Sequence, residues 1–484
     1  MTPSIVEGRR RRDFWLTPRH LRAYFILLVA GLSITLLFLH HSLQHTPYSA
    51  FHDQIHSHQV TNIRKQQTLA FLEESNRNQS LTLPQQKKEG RTAPIVDIIH
   101  HTPSPSSLPS SPLPAADPLP ALCIGVSSVW RNLDQYVHQA LGSLLRELTQ
   151  EERSRIHLVA FLPDQNITSS LNHLHLWGLD TLVDAIAAYS PEDSAKIDQL
   201  THQEDGWWRK AVIDSANIMN YCSRTQLPYA LLLEDDALAT EYWYPKVQEA
   251  LKAIDADLRS HSWLPLANDH GIPEQGGGGE GPGQGKAPWL YLRLFTTEWL
   301  MGLSNEDIPC IVLIILTLIF LQIYLFLRLS RVGPMDSGIL KRFLHSSWSK
   351  PSQALLLLLT LLLSSFLPLI LSSIIGKQNL FPPPQGLTRR VLNRCCTPAI
   401  LYPHSHLAPF AHSLSSVALH PAQMPAPVDI LLEDYAEDLH LIRYTWTPSL
   451  WQHIGQFQSK KGVTSDRSFL YSVSFEQSPI TSSS

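Results

Sequence analysis

The chain has 484 residues, enough for two or three ordinary domains, and a formal net charge of −4. So nearly balanced a charge excludes a nucleic-acid partner held by a broad basic surface. Only 17% of the residues are charged, because long apolar runs take their place.

Residues 1–22 form a basic tail carrying Arg9, Arg10, Arg11, Arg12, Arg19 and Arg22. Residues 23–39 are uncharged. They read as a transmembrane signal anchor, at the short end of the roughly 17–25 residues that cross a bilayer. The arginines before this run, with none after it until Arg64, place the N-terminus in the cytosol. His40-His41 follows where a cleaved signal would show small residues. Cys310 to Leu327 and Ala354 to Ile375 are also uncharged. They predict a transmembrane hairpin over 310–375 with a basic cytosolic loop at 328–353. A hairpin returns the chain to the side it left, so 40–309 and 376–484 are expected on one lumenal side. Three spans in all imply contact with membrane lipid. Asn78-Gln79-Ser80 and Asn166-Ile167-Thr168 are then available for glycosylation.

Residues 40–120 show no sustained apolar period and turn Pro/Ser-rich from Thr102 to Pro114. They are expected to form a semi-extended stem. A folded domain is predicted over 121–309, resuming at 376–458, with a polar, disordered tail at 459–484. Leu122 to Trp130 reads as a strand running into a loop, and Asp134 to Leu148 as a helix. Ile156 to Leu162 is a second buried strand. Leu179 to Ala188 is apolar but fits neither period. Trp207 to Cys222 reads as a helix, Tyr229 to Leu233 as a strand, Lys246 to Leu258 as a helix and Trp289 to Phe295 as a strand. Gly271 to Gly285 is a flexible insertion without the spacing of a phosphate-binding loop. This alternation predicts an α/β fold with a Rossmann-like, mostly parallel sheet. Ligands of such sheets bind beyond the carboxyl ends of the strands.

The third strand ends in Glu234-Asp235-Asp236. Adjacent carboxylates repel, so three at the mouth of a buried strand call for a compensating cation. Oxygen ligands suit Mg²⁺ or Mn²⁺, ions that bridge protein to phosphate. The competing reading is a solvated acidic turn, with Asp235 or Asp236 capping the next helix. The chain has five cysteines and no CxxC. Cys310 opens an apolar span and is expected to be inert. Cys123, Cys222, Cys395 and Cys396 allow two disulfides by any of three pairings in an oxidising compartment, or stay as buried thiols in a reducing one.

Three later segments complete the motif set. They are Cys395-Cys396-Thr397-Pro398-Ala399, then Pro427-Val428-Asp429-Ile430-Leu431-Leu432, then Pro448-Ser449-Leu450-Trp451-Gln452-His453-Ile454-Gly455. With the strand Ile124-Gly125-Val126-Ser127 and the acidic strand end, they resemble the post-GPI-attachment N-acetylgalactosamine transferase family. Part of the pattern also resembles the N-acetylglucosaminyltransferase IV group, which lacks a hairpin. The Gln456-Phe457-Gln458 that follows departs from the family pattern.

The resemblance implies an inverting, GT-A-type, metal-dependent enzyme in the Golgi membrane, with an N-terminal anchor and a hairpin inserted in its catalytic domain. Such an enzyme moves N-acetylgalactosamine, or a related hexosamine, from a UDP-sugar such as UDP-GalNAc to the mannose core of GPI anchors on proteins. Its implied site has Asp236 and His453 on Mn²⁺ or Mg²⁺, and Gly125, Val126, Ser127, Glu234 and Asp235 around the donor. Asp429 is the first choice of base for the acceptor hydroxyl, with Glu433 and Asp434 as rivals. Asp429 also reads as a helix cap, and His453 as an ordinary buried histidine. The alternatives are an N-glycan-branching N-acetylglucosaminyltransferase, a non-catalytic membrane adaptor that binds glycans, and a metal-dependent phosphoesterase.

Overall fold

The computed structural model describes residues 33–34, 37–43, 49, 55–82, 92–103, 121–131, 134–201, 206–260, 287–297, 308–331, 374–376, 379, 385–389, 396–420, 425–455, 472 and 475. The chain divides into two compact units. One comprises residues 1–53 and 302–382, the other residues 54–301 and 383–484. In the first, the principal described element is the helix Ile308–Arg331.

The second unit carries the sheet. Its elements in chain order are α1 (Ile55–Thr82), β1 (Ile95–Asp97), β2 (Leu122–Ser127), α2 (Val137–Arg146), α3 (Gln150–Arg153), β3 (Ile156–Leu162) and α4 (Thr168–Leu176). Then come β4 (Ala185–Ala188), α5 (Pro191–Thr201), α6 (Gly206–Arg224), β5 (Tyr229–Glu234), β6 (Ala237–Ala239), α7 (Trp243–Ser260) and β7 (Trp289–Arg293). The unit closes with β8 (Gly386–Thr388), β9 (Ala399–Pro403), α8 (His404–Leu419), α9 (Val428–Asp438), β10 (Ile442–Thr447) and β11 (Trp451–His453).

Among the described residues, nine strands form one mixed sheet in the order β1-β4-β3-β2-β5-β9-β7-β10-β8. The run from β1 to β5 is parallel throughout. β9 lies antiparallel between β5 and β7, and β10 runs parallel to β7. The fold is therefore α/β with a mostly parallel sheet, as the strand–helix alternation predicts. Side chains alternate across the sheet, as the pleat requires. Leu122, Ile124 and Val126 of β2 pack on one face against Val137, Leu141 and Leu144 of α2 and Trp243 and Val247 of α7. Cys123 points to the other face, among Val212, Met219 and Cys222 of α6, Phe410 of α8 and Leu432 of α9. Gly125 shares that second face. A Cβ there would stand 2.6 Å from Ile218 Cγ1, so its missing side chain lets α6 press onto the sheet.

Several expectations change. A stem over 40–120 does not extend to the described residues 55–82 and 92–103. α1 is a helix whose Leu72 and Thr68 are buried, and Arg64 is held by Glu241 at 3.0 Å and Glu147 at 3.6 Å. β1 adds an edge strand beside β4. The buried positions of α1 are largely polar, so no apolar period marks it. The polar tail also returns to the body at two points. Ser472 exchanges hydrogen bonds with the side chain of Gln452, and Phe475 packs with Tyr136, Leu238 and Ile454. A whole helix, α8, has no counterpart among the sequence-based elements.

The membrane reading is corrected. Among the described residues, no helix is long and apolar enough to cross a membrane. Most of the run 23–39 and nearly all of 354–375 lie outside the described residues, as do the Gly-rich stretch and most of the loop 328–353. The remaining run, Cys310 to Leu327, falls in the helix Ile308–Arg331. The three-span topology, with its Golgi-membrane placement and lipid contact, does not stand against that finding.

Cys123 of β2 and Cys222 of α6 form a disulfide, one of the pairings left open by the sequence. Cys396 is disulfide-bonded as well, and Cys310 is free. The Cys123–Cys222 bond closes a loop with a sequence separation of 99. In the chain-entropy picture, a loop of that length stabilises the fold by about 4–5 kcal/mol. Replacing both cysteines by alanine is therefore expected to lower unfolding stability by about 4 kcal/mol, read as a lower denaturant midpoint at unchanged slope.

Candidate functional site

The site is built on the carboxyl end of β5. Strand pairing continues to Ser127↔Glu234, so the acidic triplet sits level with the end of β2. Each carboxylate is met by a different element. Asp235, 3% exposed, is gripped by both Nη atoms of Arg131 in a two-pronged ion pair, with Nη2 to Oδ1 at 2.7 Å. Ser128 Oγ donates to the same carboxylate at 2.8 Å. Thr397 Oγ1 donates to Glu234 Oε1 at 2.8 Å. It can do so because β9 runs against β5, and Glu234 N donates to Pro398 O at 3.1 Å.

Asp236 is met by the far end of the chain. β6 pairs with β11 so that Ala237 stands opposite His453, and Ile454 N donates to Asp236 O at 2.8 Å. His453 Nε2 then lies 3.4 Å from Asp236 Oδ2. One ligand atom each from Glu234, Asp236 and His453 fall within 4.8 Å of one another. Asp236 and His453 are buried, yet Asp236 Oδ1 and His453 Nδ1 have no hydrogen-bond partner. Buried polar atoms rarely stay unpaired, because the loss is about 1–3 kcal/mol each. Two carboxylates and an imidazole fit a divalent ion such as Mn²⁺. Burial, with Asp236 second, pushes Glu234 up to about 7. Burial also raises Asp235, against the opposing pull of Arg131. Both directions mark a cluster with more negative charge than its one guanidinium balances.

A second carboxylate–imidazole group, Asp97, His100 and Asp193, lies at the surface, with the His100 side chain 70% exposed. It has no comparable unpaired buried atom, and its carboxylates accept from Ile99 N, His100 N and Ser190 Oγ.

A cavity of about 600 Å³ opens beside the triplet. Gly125, Ser127, Arg131, Glu234, Asp235 and His453 line one part of it; Trp208 and Asp214 of α6 and Asp429 of α9 line others. Asp429 is the second residue of α9, behind the cap residue Pro427, and its Oδ1 accepts from Ile430 N at 3.0 Å. Burial raises its pKa. Val126 is fully buried on the opposite face of the sheet and is absent from the lining. Glu433 and Asp434 are absent from it too. Glu433 is fully buried, with Oε1 bound by Arg293 at 2.8 Å and by Tyr291 OH at 2.5 Å, and Oε2 bound by Arg443 at 3.0 Å.

Sequence reasoning did not single out Arg131, Ser128, Thr397 or Gly455. Arg131 is the one signal that was available, as a cation in the loop leaving the first strand. Gly455 matters sterically. A Cβ built there would fall 2.0 Å from Asp236 Oδ2.

Comparison with known proteins follows from this geometry. The family model described as "GPI-N-acetylgalactosamine transferase PGAP4" matches residues 122–452. That interval includes the acidic triplet, Asp429 and all of β11 except its last residue, His453. Alpha-1,3-mannosyl-glycoprotein 4-beta-N-acetylglucosaminyltransferase C from Macaca fascicularis is 28% identical over 157 residues, which is 30% of this chain and 32% of the relative. The Mus musculus protein of the same name matches equally. The chain thus spans about a third of the length of these curated relatives. The crystal structure of mouse xyloside xylosyltransferase 1, apo form, aligns over 69% of this chain and 78% of that one, at 10% identity and a TM-score of 0.26.

Because Gly455 leaves Asp236 its room, Gly455→Ala is expected to displace that carboxylate. The Mn²⁺ concentration needed for half-maximal thermal stabilisation should rise at least about tenfold, one lost oxygen ligand being worth a charge-assisted bond.

Proposed function

The chain belongs to the GPI-N-acetylgalactosamine transferase PGAP4 family, and from that premise we propose that it transfers N-acetylgalactosamine, or a related hexosamine, from a UDP-sugar to the mannose core of GPI anchors on proteins. The observation that carries the reading is one cavity bordered by two chemistries. On one side stand Glu234 and His453, with Asp236 beside them. On another stands Asp429, a carboxylate made more basic by burial.

Glu234, Asp236 and His453 would hold a divalent ion, Mn²⁺ or Mg²⁺, in a GT-A type of site. When bound, such an ion supplies positive charge for the diphosphate that leaves with the nucleotide. The rest is work for side chains. In the inverting reaction, the acceptor hydroxyl oxygen bonds to the anomeric carbon as the bond from that carbon to the phosphate oxygen breaks. The hydroxyl proton passes to Asp429 Oδ2, since Oδ1 is engaged by Ile430 N. A carboxylate with a raised pKa is better matched to that transfer than an ordinary one. Glu433 is set aside because both its oxygens are occupied by cationic and phenolic donors. Ser127 and Gly125 border the donor end, and Asp235 serves there by holding Arg131.

The 28% identity with N-acetylglucosaminyltransferase C favours a second reading, in which the acceptor is an N-glycan. Assay of the full chain against GPI glycans and N-glycans separates the two. Thermal stabilisation by a panel of UDP-sugars, with and without Mn²⁺, identifies the donor. Stabilisation by no UDP-sugar sinks both readings. Asp236→Asn is expected to lower kcat by about 10²–10³-fold. Asp429→Asn is expected to lower kcat by about 10²–10⁴-fold while leaving donor affinity unchanged. A kcat within threefold of wild type would remove the role of base from Asp429.

A further inference from the structure

Of the three carboxylates, Asp235 is the most fully engaged, with three of its roughly four acceptor sites filled. Both oxygens are bound by Arg131, and Oδ2 also accepts from Ser128. The side chain facing the cavity at this point is therefore Arg131. Its guanidinium is fixed from two directions. Asp235 takes one N–H from each Nη, and the ring of Tyr136 lies 5.3 Å from Cζ. An arginine has five N–H bonds. The fork uses two, and among the described residues the other three meet no acceptor. Nε is one of these, buried and unpartnered.

We propose that Arg131 is a donor-binding residue that contacts the diphosphate of the nucleotide sugar, with Asp235 acting as its positioning residue. This rests on the UDP-sugar reading above. The chemistry points to the diphosphate rather than the base. Arg131 sits at the same carboxylate cluster as Glu234, Asp236 and His453, the groups that fit a phosphate-bridging cation. A planar guanidinium matches phosphate oxygens with directed N–H bonds, and its charge never titrates away. A fork locked by Asp235 also loses little freedom when the donor arrives. The triplet then has a division of labour. Its outer members face the cation, and its middle member places a second positive group on the same phosphates.

The test uses the full chain with saturating Mn²⁺ and two probes, UDP and uridine, titrated by calorimetry. Arg131→Met is expected to weaken UDP about 10–100-fold, the value of a lost charge-assisted contact, and uridine less than threefold. Arg131→Lys should recover part of the UDP affinity, since it restores charge but not the fork. Arg131→Met leaves Asp235 buried and uncompensated, which threatens the fold. The double variant Arg131→Met/Asp235→Asn removes that problem. UDP binding that stays weak in the double variant, with uridine intact, supports the contact. UDP affinity restored to wild type in the double variant overturns it, because Arg131 would then serve only to neutralise Asp235. Equal loss of UDP and uridine in the double variant also overturns it. A wild-type chain that binds neither probe overturns the UDP-sugar reading itself, whatever the variants do.

Discussion

Three neighbouring carboxylates at the end of a buried strand are the constraint from which the rest of the site follows. Removing an ionised carboxylate from water costs several kcal/mol even after the protein relaxes. The chain meets that cost differently at each position. Asp235 has a guanidinium and a hydroxyl. Glu234 has one hydroxyl, from Thr397, and keeps an open face on the cavity. Asp236 has an imidazole neighbour and one oxygen with nothing at all. A purely structural cluster would close this gap with another arginine. The divalent ion proposed for this site would fill that gap.

Meeting three carboxylates from three directions dictates the chain path. Thr397 and His453 must be brought to β5 from beyond residue 383. β9 does the first by pairing antiparallel with β5, and β11 does the second by pairing with β6. β7 and β9 are antiparallel neighbours, so the end of one lies beside the start of the other, and Leu294 N donates to Ala399 O at 3.0 Å. The sheet order thus carries the acidic cluster: it brings residues from beyond 383 against the end of β5.

How much of this was legible in the sequence differs by element. β2, β3, β5 and α6 were readable because each is an apolar run or an apolar stripe bounded by turn residues. The acidic triplet was readable because charge stops the β5 run abruptly. α1 was not, since the residues it buries include Thr61, Arg64 and Thr68. α8 was not, because Pro409, four serines and three histidines break its pattern. The pairings that gather Thr397, His453 and Gly455 around the triplet are long-range contacts, and no local period carries them. Gly125 was legible as a glycine that mattered, but for a different reason. Its room is taken by Ile218, so it serves packing directly and the cavity only as part of its wall.

Asp429 and Glu433 show why residue type and spacing leave the base undetermined. They lie one turn apart on α9, within one short acidic segment, and either could serve as a base on paper. Their surroundings separate them. Glu433 faces inward to Arg293, Tyr291 and Arg443, which occupy both its oxygens, and it does not line the cavity. Asp429 sits at the first turn, where the cavity reaches the helix end, and accepts from Ile430 N. Burial raises its pKa and outweighs the opposing backbone hydrogen bonds and the pull of Arg293, the direction that suits the proposed base. The distinction rests on which strands cross behind α9, and β7 and β10 supply Arg293 and Arg443 from segments far apart in the sequence. What separates the two acidic side chains is thus which of them those arginines bind, Glu433 and not Asp429.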